Sequence, residues 1–298
     1  MTWLIFALLG PSLWALGYVL DSALRRKFIP DELSLTWVMS ALRIPVVVGL
    51  LFFFNVFAAG AKPFLFLLLS GFLLTLPYWF YYNALKGEEV SRIAVMIQTI
   101  PIFNLLISHF TLHERLTPLQ GVAFFLLLLA GFIAALKPEG KKIKISSVLG
   151  LILFASFLWA ISDVLFKAYS AAYTHYWDAF TTYLLGGLFT TALLFRPMVR
   201  RSPKKLFRNL SIKGWVYVLC SYTSGTLGTV AFTYALTLGK VSLTSVMMGV
   251  QPLLVLVFGV AFYPIIPELT REDISKKSLL LKGISFVLVL AGLAVLQL

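Results

Sequence analysis

The feature that most constrains this chain is that it reads as one passage written twice. Trp14-Ala15 returns as Trp159-Ala160. Ala84-Leu85, Val90-Ser91, Val95-Met96 and Pro101 return as Ala235-Leu236, Val241-Ser242, Val246-Met247 and Pro252, all at an offset of 151. Leu116-Thr117 recurs as Leu269-Thr270, and Ala130-Gly131 as Ala291-Gly292. A repeat of this length implies two structurally related halves.

The two copies are apolar enough to decide their solvent. The chain is 60% hydrophobic and 12% charged with mean hydropathy +0.92, about half the charge of a soluble domain. Its apolar runs repeatedly reach the roughly 20 residues that cross a bilayer as helix, and they are continuous, unlike the alternating strands of outer-membrane barrels. The runs predict an all-α membrane protein with ten transmembrane helices. These cover about Trp3–Leu24, Leu33–Phe57, Phe64–Leu85, Val90–Leu112, Leu119–Leu136, Val148–Tyr169, Trp177–Phe195, Lys213–Leu236, Val241–Tyr263 and Leu279–Gln297. They group as repeats 3–136 and 148–297, joined by a short charged linker, Lys137 to Lys144. Five spans is an odd number, so the second copy enters the membrane from the opposite side. That inverted repeat is the geometry of alternating access. No cleavable signal peptide is expected, and the first apolar run is read as the first span.

The net charge of +13 would suggest nucleic acid in a soluble protein. Here twenty of the twenty-five Lys and Arg residues lie in loops after the odd-numbered spans, so they are assigned to lipid headgroups and no nucleic-acid partner is expected. By the positive-inside rule they put those loops in the cytoplasm and both termini outside. The single Cys220 lies in an apolar run, so no disulfide framework forms. The chain lacks a phosphate-binding lysine loop, a nucleophile elbow and paired catalytic carboxylates, which argues against an ATP-driven pump or an enzyme. No cofactor and no metal are expected.

The segment from Ala84 to Pro101 (ALKGEEVSRIAVMIQTIP), continuing to His113-Glu114-Arg115-Leu116-Thr117, resembles the EamA family of the drug/metabolite transporter superfamily. Trp14, Arg43 and the Ala130-Gly131 pair sit where such proteins often carry them. The second copy is looser, with Pro267-Glu268-Leu269-Thr270 in place of Glu114-Arg115-Leu116-Thr117. The resemblance implies a ten-helix secondary transporter of a small metabolite such as an amino acid, in a prokaryotic plasma membrane, as monomer or homodimer. It also implies cytoplasmic termini, against the charge count. A nucleotide-sugar or lipid-linked-sugar carrier, and a membrane-embedded enzyme acting on lipid, are the alternatives.

The expected substrate-binding residues are Trp14, Tyr18, Arg43, Tyr82, Asn83, Gln98, Trp159, Asp163, Tyr222 and Gln251, with Pro101 and Pro252 as gating points. Ionised groups in hydrocarbon are expensive and usually face a cavity or a partner. Asp163 is therefore either a substrate or proton site, or the partner of Lys167 four residues on. Arg43 either meets an anionic substrate group, pairs with Asp163 or a carbonyl, or snorkels to the interface. Tyr78, Trp79, Tyr81, Tyr82 and Asn83 form a cavity wall or an interfacial belt. Gln98 and Gln251 flank the two prolines, which free backbone carbonyls and permit a bend. Ser221, Gly225 and Gly228 share one helical face that suits close packing; Tyr222, Ser224 and Thr229 are candidates to reach a polar cavity. His109, His113 and Glu114 have helix spacing for metal but lack a further ligand. Glu114 is read instead as closing a helix end and pairing with Arg115. In the alignment set by Trp14 and Trp159, Tyr18 and Ser22 stand opposite Asp163 and Lys167, so neither charge has a twin.

Overall fold

The computed structural model describes residues 2–114, 117–134, 136–139, 142–200, 210–266 and 275–297. Arg115 and the second Leu-Thr string, Leu269-Thr270, lie outside them. The first half comprises α1 (Thr2–Ala23, continued by a wider π turn, Leu24–Phe28), α2 (Glu32–Ala41), α3 (Arg43–Leu51), α4 (Ala61–Thr75) and α5 (Tyr78–Ala84). It continues with α6 (Val90–Met96), α7 (Ile100–Thr111) and α8 (Pro118–Ala134). The second half comprises α9 (Leu149–Ser170), α10 (Tyr176–Arg200), α11 (Ile212–Leu238), α12 (Val241–Val246), α13 (Gln251–Phe262) and α14 (Lys276–Gln297). Among the described residues, seven helical stretches are long and apolar enough to cross a membrane: Trp3–Phe28, Glu32–Leu51, Ala61–Ala84, Val90–Thr111, Leu149–Ser170, Tyr176–Phe195 and Val241–Phe262. The chain is an integral, multi-pass membrane protein. The helices α8, α11 and α14 stand outside that set of seven.

Proline explains where the spans break. Pro45 lacks the N–H that would bond Ala41, and the helix is interrupted at Leu42 between α2 and α3. Pro77 likewise stands between α4 and α5. Pro101 and Pro252 each open a half-helix immediately after a tight 3₁₀ turn, at Ile97–Thr99 and Met247–Val250. The same interruption thus occurs at matching points of both copies. Side-chain oxygens start other helices: Asp31 accepts from the Ser34 amide at 2.8 Å, and Ser211 from the Gly214 amide at 3.2 Å.

Two expectations change. The second apolar run does not stay helical to Phe57; it turns after Leu51 and passes Gly60 at φ +82°, a conformation that glycine adopts without strain. The charged linker is a β-hairpin: β1 (Leu136–Glu139) pairs antiparallel with β2 (Lys142–Ile145), Leu136 opposite Ile145. Lys142-Ile143-Lys144-Ile145 alternates polar and apolar residues, the two-residue period of a strand.

The repeat is also written in long-range hydrogen bonds. The Trp14 indole donates from α1 to the Gly225 carbonyl of α11 at 3.1 Å, and the Trp159 indole from α9 to the Leu74 carbonyl of α4 at 2.9 Å. Leu74 and Gly225 are 151 residues apart, the offset read from the sequence. Ser221 Oγ lies 3.5 Å from the Gly17 carbonyl oxygen, and its counterpart Ser70 Oγ donates to the Ser162 carbonyl at 2.7 Å. Small residues make these crossings close, because lipid supplies no hydrophobic drive between helices. A Cβ on Gly71 would lie 1.7 Å from the Tyr183 carbonyl oxygen, and one on Gly228 2.6 Å from the Trp14 ring.

Candidate functional site

Two adjoining cavities occupy the centre of the bundle. The first, about 540 Å³ including its mouth, is walled by α1, α2, α3, α4, α5 and α11, with Asp21, Ser40, Arg43, Tyr82 and Tyr222 on its surface. The second, about 420 Å³, is walled by Leu74, Trp159, Asp163, Tyr183 and Phe232 among others. Trp14, Tyr18, Tyr78 and Thr229 line both. Residues from both halves therefore meet around one interior space, apolar in its bulk with a few placed charges, which is the character of a small-molecule site.

Arg43 opens α3 just beyond the Pro45 break and lies against Gly187 of α10. Its Nε and Nη1 are buried without a hydrogen-bond partner. It neither pairs with Asp163 nor bonds a carbonyl through those atoms, and it faces the cavity rather than reaching for an interface. Tyr78, Tyr183 and Tyr222 lie within its electrostatic reach.

Asp163 does not bond Lys167. Its carboxylate accepts from Asn104 Nδ2 of α7 at 2.9 Å, across the boundary between the halves. The Lys167 ammonium instead donates to the carbonyls of Leu236, Thr237 and Gly239, at 2.7, 3.2 and 2.8 Å, where α11 ends. The last carbonyls of a helix have no partner within it and carry the negative end of its dipole, and three of them together satisfy the three donors of the ammonium.

The other expected residues divide. Trp14, Tyr18, Tyr82, Trp159 and Tyr222 are in the cavity walls. Asn83 is exposed, on the face of α5 opposite the buried Tyr82 and Tyr81, so it does not face the cavity. Gln98 is buried in the 3₁₀ turn and donates to the Ala94 carbonyl at 3.3 Å, outside either lining. Gln251 is buried beside the Tyr18 side chain. Pro101 and Pro252 sit at the starts of α7 and α13 rather than on the walls. Glu114 closes a helix other than its own: it accepts from the Val241 amide at 3.1 Å and Ser242 Oγ at 2.6 Å, at the start of α12. His109 Nδ1 lies 2.7 Å from the Glu114 carbonyl oxygen. Cys220 is exposed on α11.

Sequence reasoning missed Asp21. It is 3% exposed, accepts from Ser221 Oγ at 2.6 Å, and has the Tyr81 and Tyr82 side chains beside it. The signal was available, since Asp21 is an ionisable residue inside the first apolar run, as Asp163 is in the sixth.

Comparison with known proteins agrees with this architecture. No curated protein matches the chain. The chain is similar to 27 solved chains. One, described as "Crystal structure of protein", aligns over 99% of this chain and 96% of its own with TM-score 0.61 and 17% identity, which establishes a shared fold. The model of the EamA-like transporter family matches twice, at residues 1–136 and 146–296. With nearly the whole length covered, once per copy, the chain belongs to the EamA-like transporter family.

Proposed function

We propose that the protein is a secondary carrier of a small polar metabolite, working by alternating access between two inverted five-helix repeats, about 3–136 and 148–297. In this reading α8, α11 and α14 complete ten spans. Substrate occupies the central cavities, contacting Trp14, Tyr18, Arg43, Tyr82, Trp159, Asp163 and Tyr222, with the breaks before Pro101 and Pro252 as gating points.

The observation that carries the reading is an asymmetry between equivalent helix pairs. Under the repeat, α4 against α10 corresponds to α11 against α2–α3. The first pair touches backbone to backbone at Gly71 and Gly186, where an added Cβ would lie 1.7 and 2.0 Å from opposing carbonyl oxygens. The second pair is held apart by the first cavity, with Thr36, Ser40 and Arg43 on one wall and Tyr222 and Thr226 on the other. Two copies of one structure, one closed and one open, describe one end state of a carrier; exchanging the roles of the copies gives the other. Buried donors of Arg43 without partners favour a substrate carrying an anionic group. Purified protein in liposomes, offered pooled labelled metabolites, tests this. Uptake of an unmodified solute supports a carrier, and a chemically altered lipid supports an enzyme instead.

A further inference from the structure

The cavities carry two carboxylates with a common design. Asp21 and Arg25 in α1 and its π turn, and Asp163 and Lys167 in α9, share the spacing Asp-x-x-x-cation. In each case the cation serves its own half, at the end of its third span. Arg25 Nε donates to the Tyr82 carbonyl at 2.8 Å, as Lys167 does to Leu236, Thr237 and Gly239. In each case the carboxylate reaches into the other half: Asp21 to Ser221, Asp163 to Asn104. The alignment fixed by Trp14 and Trp159 puts Asp21 one turn out of register with Asp163, so the match shows only in the contacts. Asp21 lines the first cavity and Asp163 the second; if the two halves are inverted, α1 and α9 run in opposite directions and the two carboxylates belong to opposite ends of the joined space.

Their cations are committed elsewhere. Arg25 also pairs with Glu32 at 3.0 Å, and Lys167 is spent on the end of α11. At Asp163 the neighbouring Asn104 Oδ1 is fully buried and has no hydrogen-bond partner, leaving an acceptor beside a carboxylate. At Asp21 the rings of Tyr18, Tyr78, Tyr81 and Tyr82 gather, with Tyr18–Tyr81 centroids 4.9 Å apart and Tyr78–Tyr82 5.8 Å apart. A carboxylate beside the unpartnered Asn104 oxygen at one site, and a carboxylate beside clustered aromatic faces at the other, both suit an organic cation. Resting on the carrier reading, we propose that Asp21 and Asp163 are paired sites for a protonated amine of the substrate, one toward each membrane face. Arg25 and Lys167 are positioning residues that fix the helix ends around them.

The test is binding of ethylammonium chloride to the full-length detergent-purified protein, read as a rise in Tm over the same concentration of sodium chloride. The wild type should show the rise. Asp21→Asn and Asp163→Asn should each weaken apparent affinity at least about tenfold, the loss of one charge-assisted contact. Lys62→Gln, on an exposed position, should bind as the wild type does. If an Asn variant fails to fold, Ser221→Ala and Asn104→Ala carry the test and should weaken binding in the same direction. No rise in the wild type, a rise kept by both variants, or loss in only one would overturn the proposal. Binding is read without transport, so uptake by a protein that ignores ethylammonium would defeat this inference and leave the carrier reading intact.

Discussion

Gly71→Ala should damage the closed interface between α4 and α10 in a way its size alone would not suggest. The new methyl would lie 1.7 Å from the Tyr183 carbonyl oxygen, 2.8 Å from its carbon and 3.0 Å from the Gly187 nitrogen. Ordinary contact needs about 3.5 Å, and all three atoms are backbone, so no rotamer can give way. The helices must part by more than about 1 Å. That overpacking costs about 1–3 kcal/mol. The same separation strains two hydrogen bonds across the crossing, Thr75 Oγ1 to the Gly187 carbonyl at 3.2 Å and Thr75 to Thr190 at 2.6 Å, each about 0.6 kcal/mol in a membrane protein. The expected total is about 2–4 kcal/mol. Gly225→Ala is the control, since nothing lies within 4 Å of its Cβ position and a change of under about 0.5 kcal/mol is expected. Thermal unfolding of the detergent-purified protein, followed by tryptophan fluorescence, should place Gly71→Ala several degrees below Gly225→Ala. Equal transitions would refute the backbone contact, and with it the closed half of the proposed asymmetry.

Other consequences are direct. Trp14→Phe and Trp159→Phe remove the equivalent hydrogen bond from the two copies, so their losses of unfolding free energy should agree within about 0.5 kcal/mol if the repeat is structural; a large difference would argue that one tryptophan does something else. Lys167→Met leaves three carbonyls at the end of α11 without their donor and should lower Tm by the equivalent of about 2–4 kcal/mol, whereas a silent change would show the cap to be dispensable. Arg43→Gln should reduce uptake of a substrate bearing an anionic group at least about tenfold while leaving Tm within a few degrees; unchanged uptake would remove Arg43 from the site.

What the sequence made legible follows the range of the forces involved. The broken spans could be read because proline acts within four residues, and the breaks occur before both Pro101 and Pro252. The closeness of α11 to α1 could be read from Ser221 and Gly228, because small residues on one face have few other uses in lipid, whereas Gly225 on the same face borders the open cavity. The Lys167 contact could not be read: its acceptors lie about 70 residues away and are carbonyls, which carry no residue signature. Asp163 was visible but its partner Asn104 was not, since nothing local distinguishes that amide from any other buried polar group. Asn83 illustrates the reverse error. It neighbours Tyr82 in sequence, yet adjacent helical residues point about 100° apart, and it turns outward. Asp21 was hidden by the repeat itself, because the alignment set Tyr18 against Asp163.

Alternating access presents one binding space to two faces in turn, and substrate counterflow measures that directly. Proteoliposomes preloaded with an unlabelled substrate from the uptake screen, then diluted into its labelled form, should accumulate label transiently above equilibrium before it declines. A smooth approach to equilibrium with no overshoot, at any preload, would contradict alternating access through this cavity.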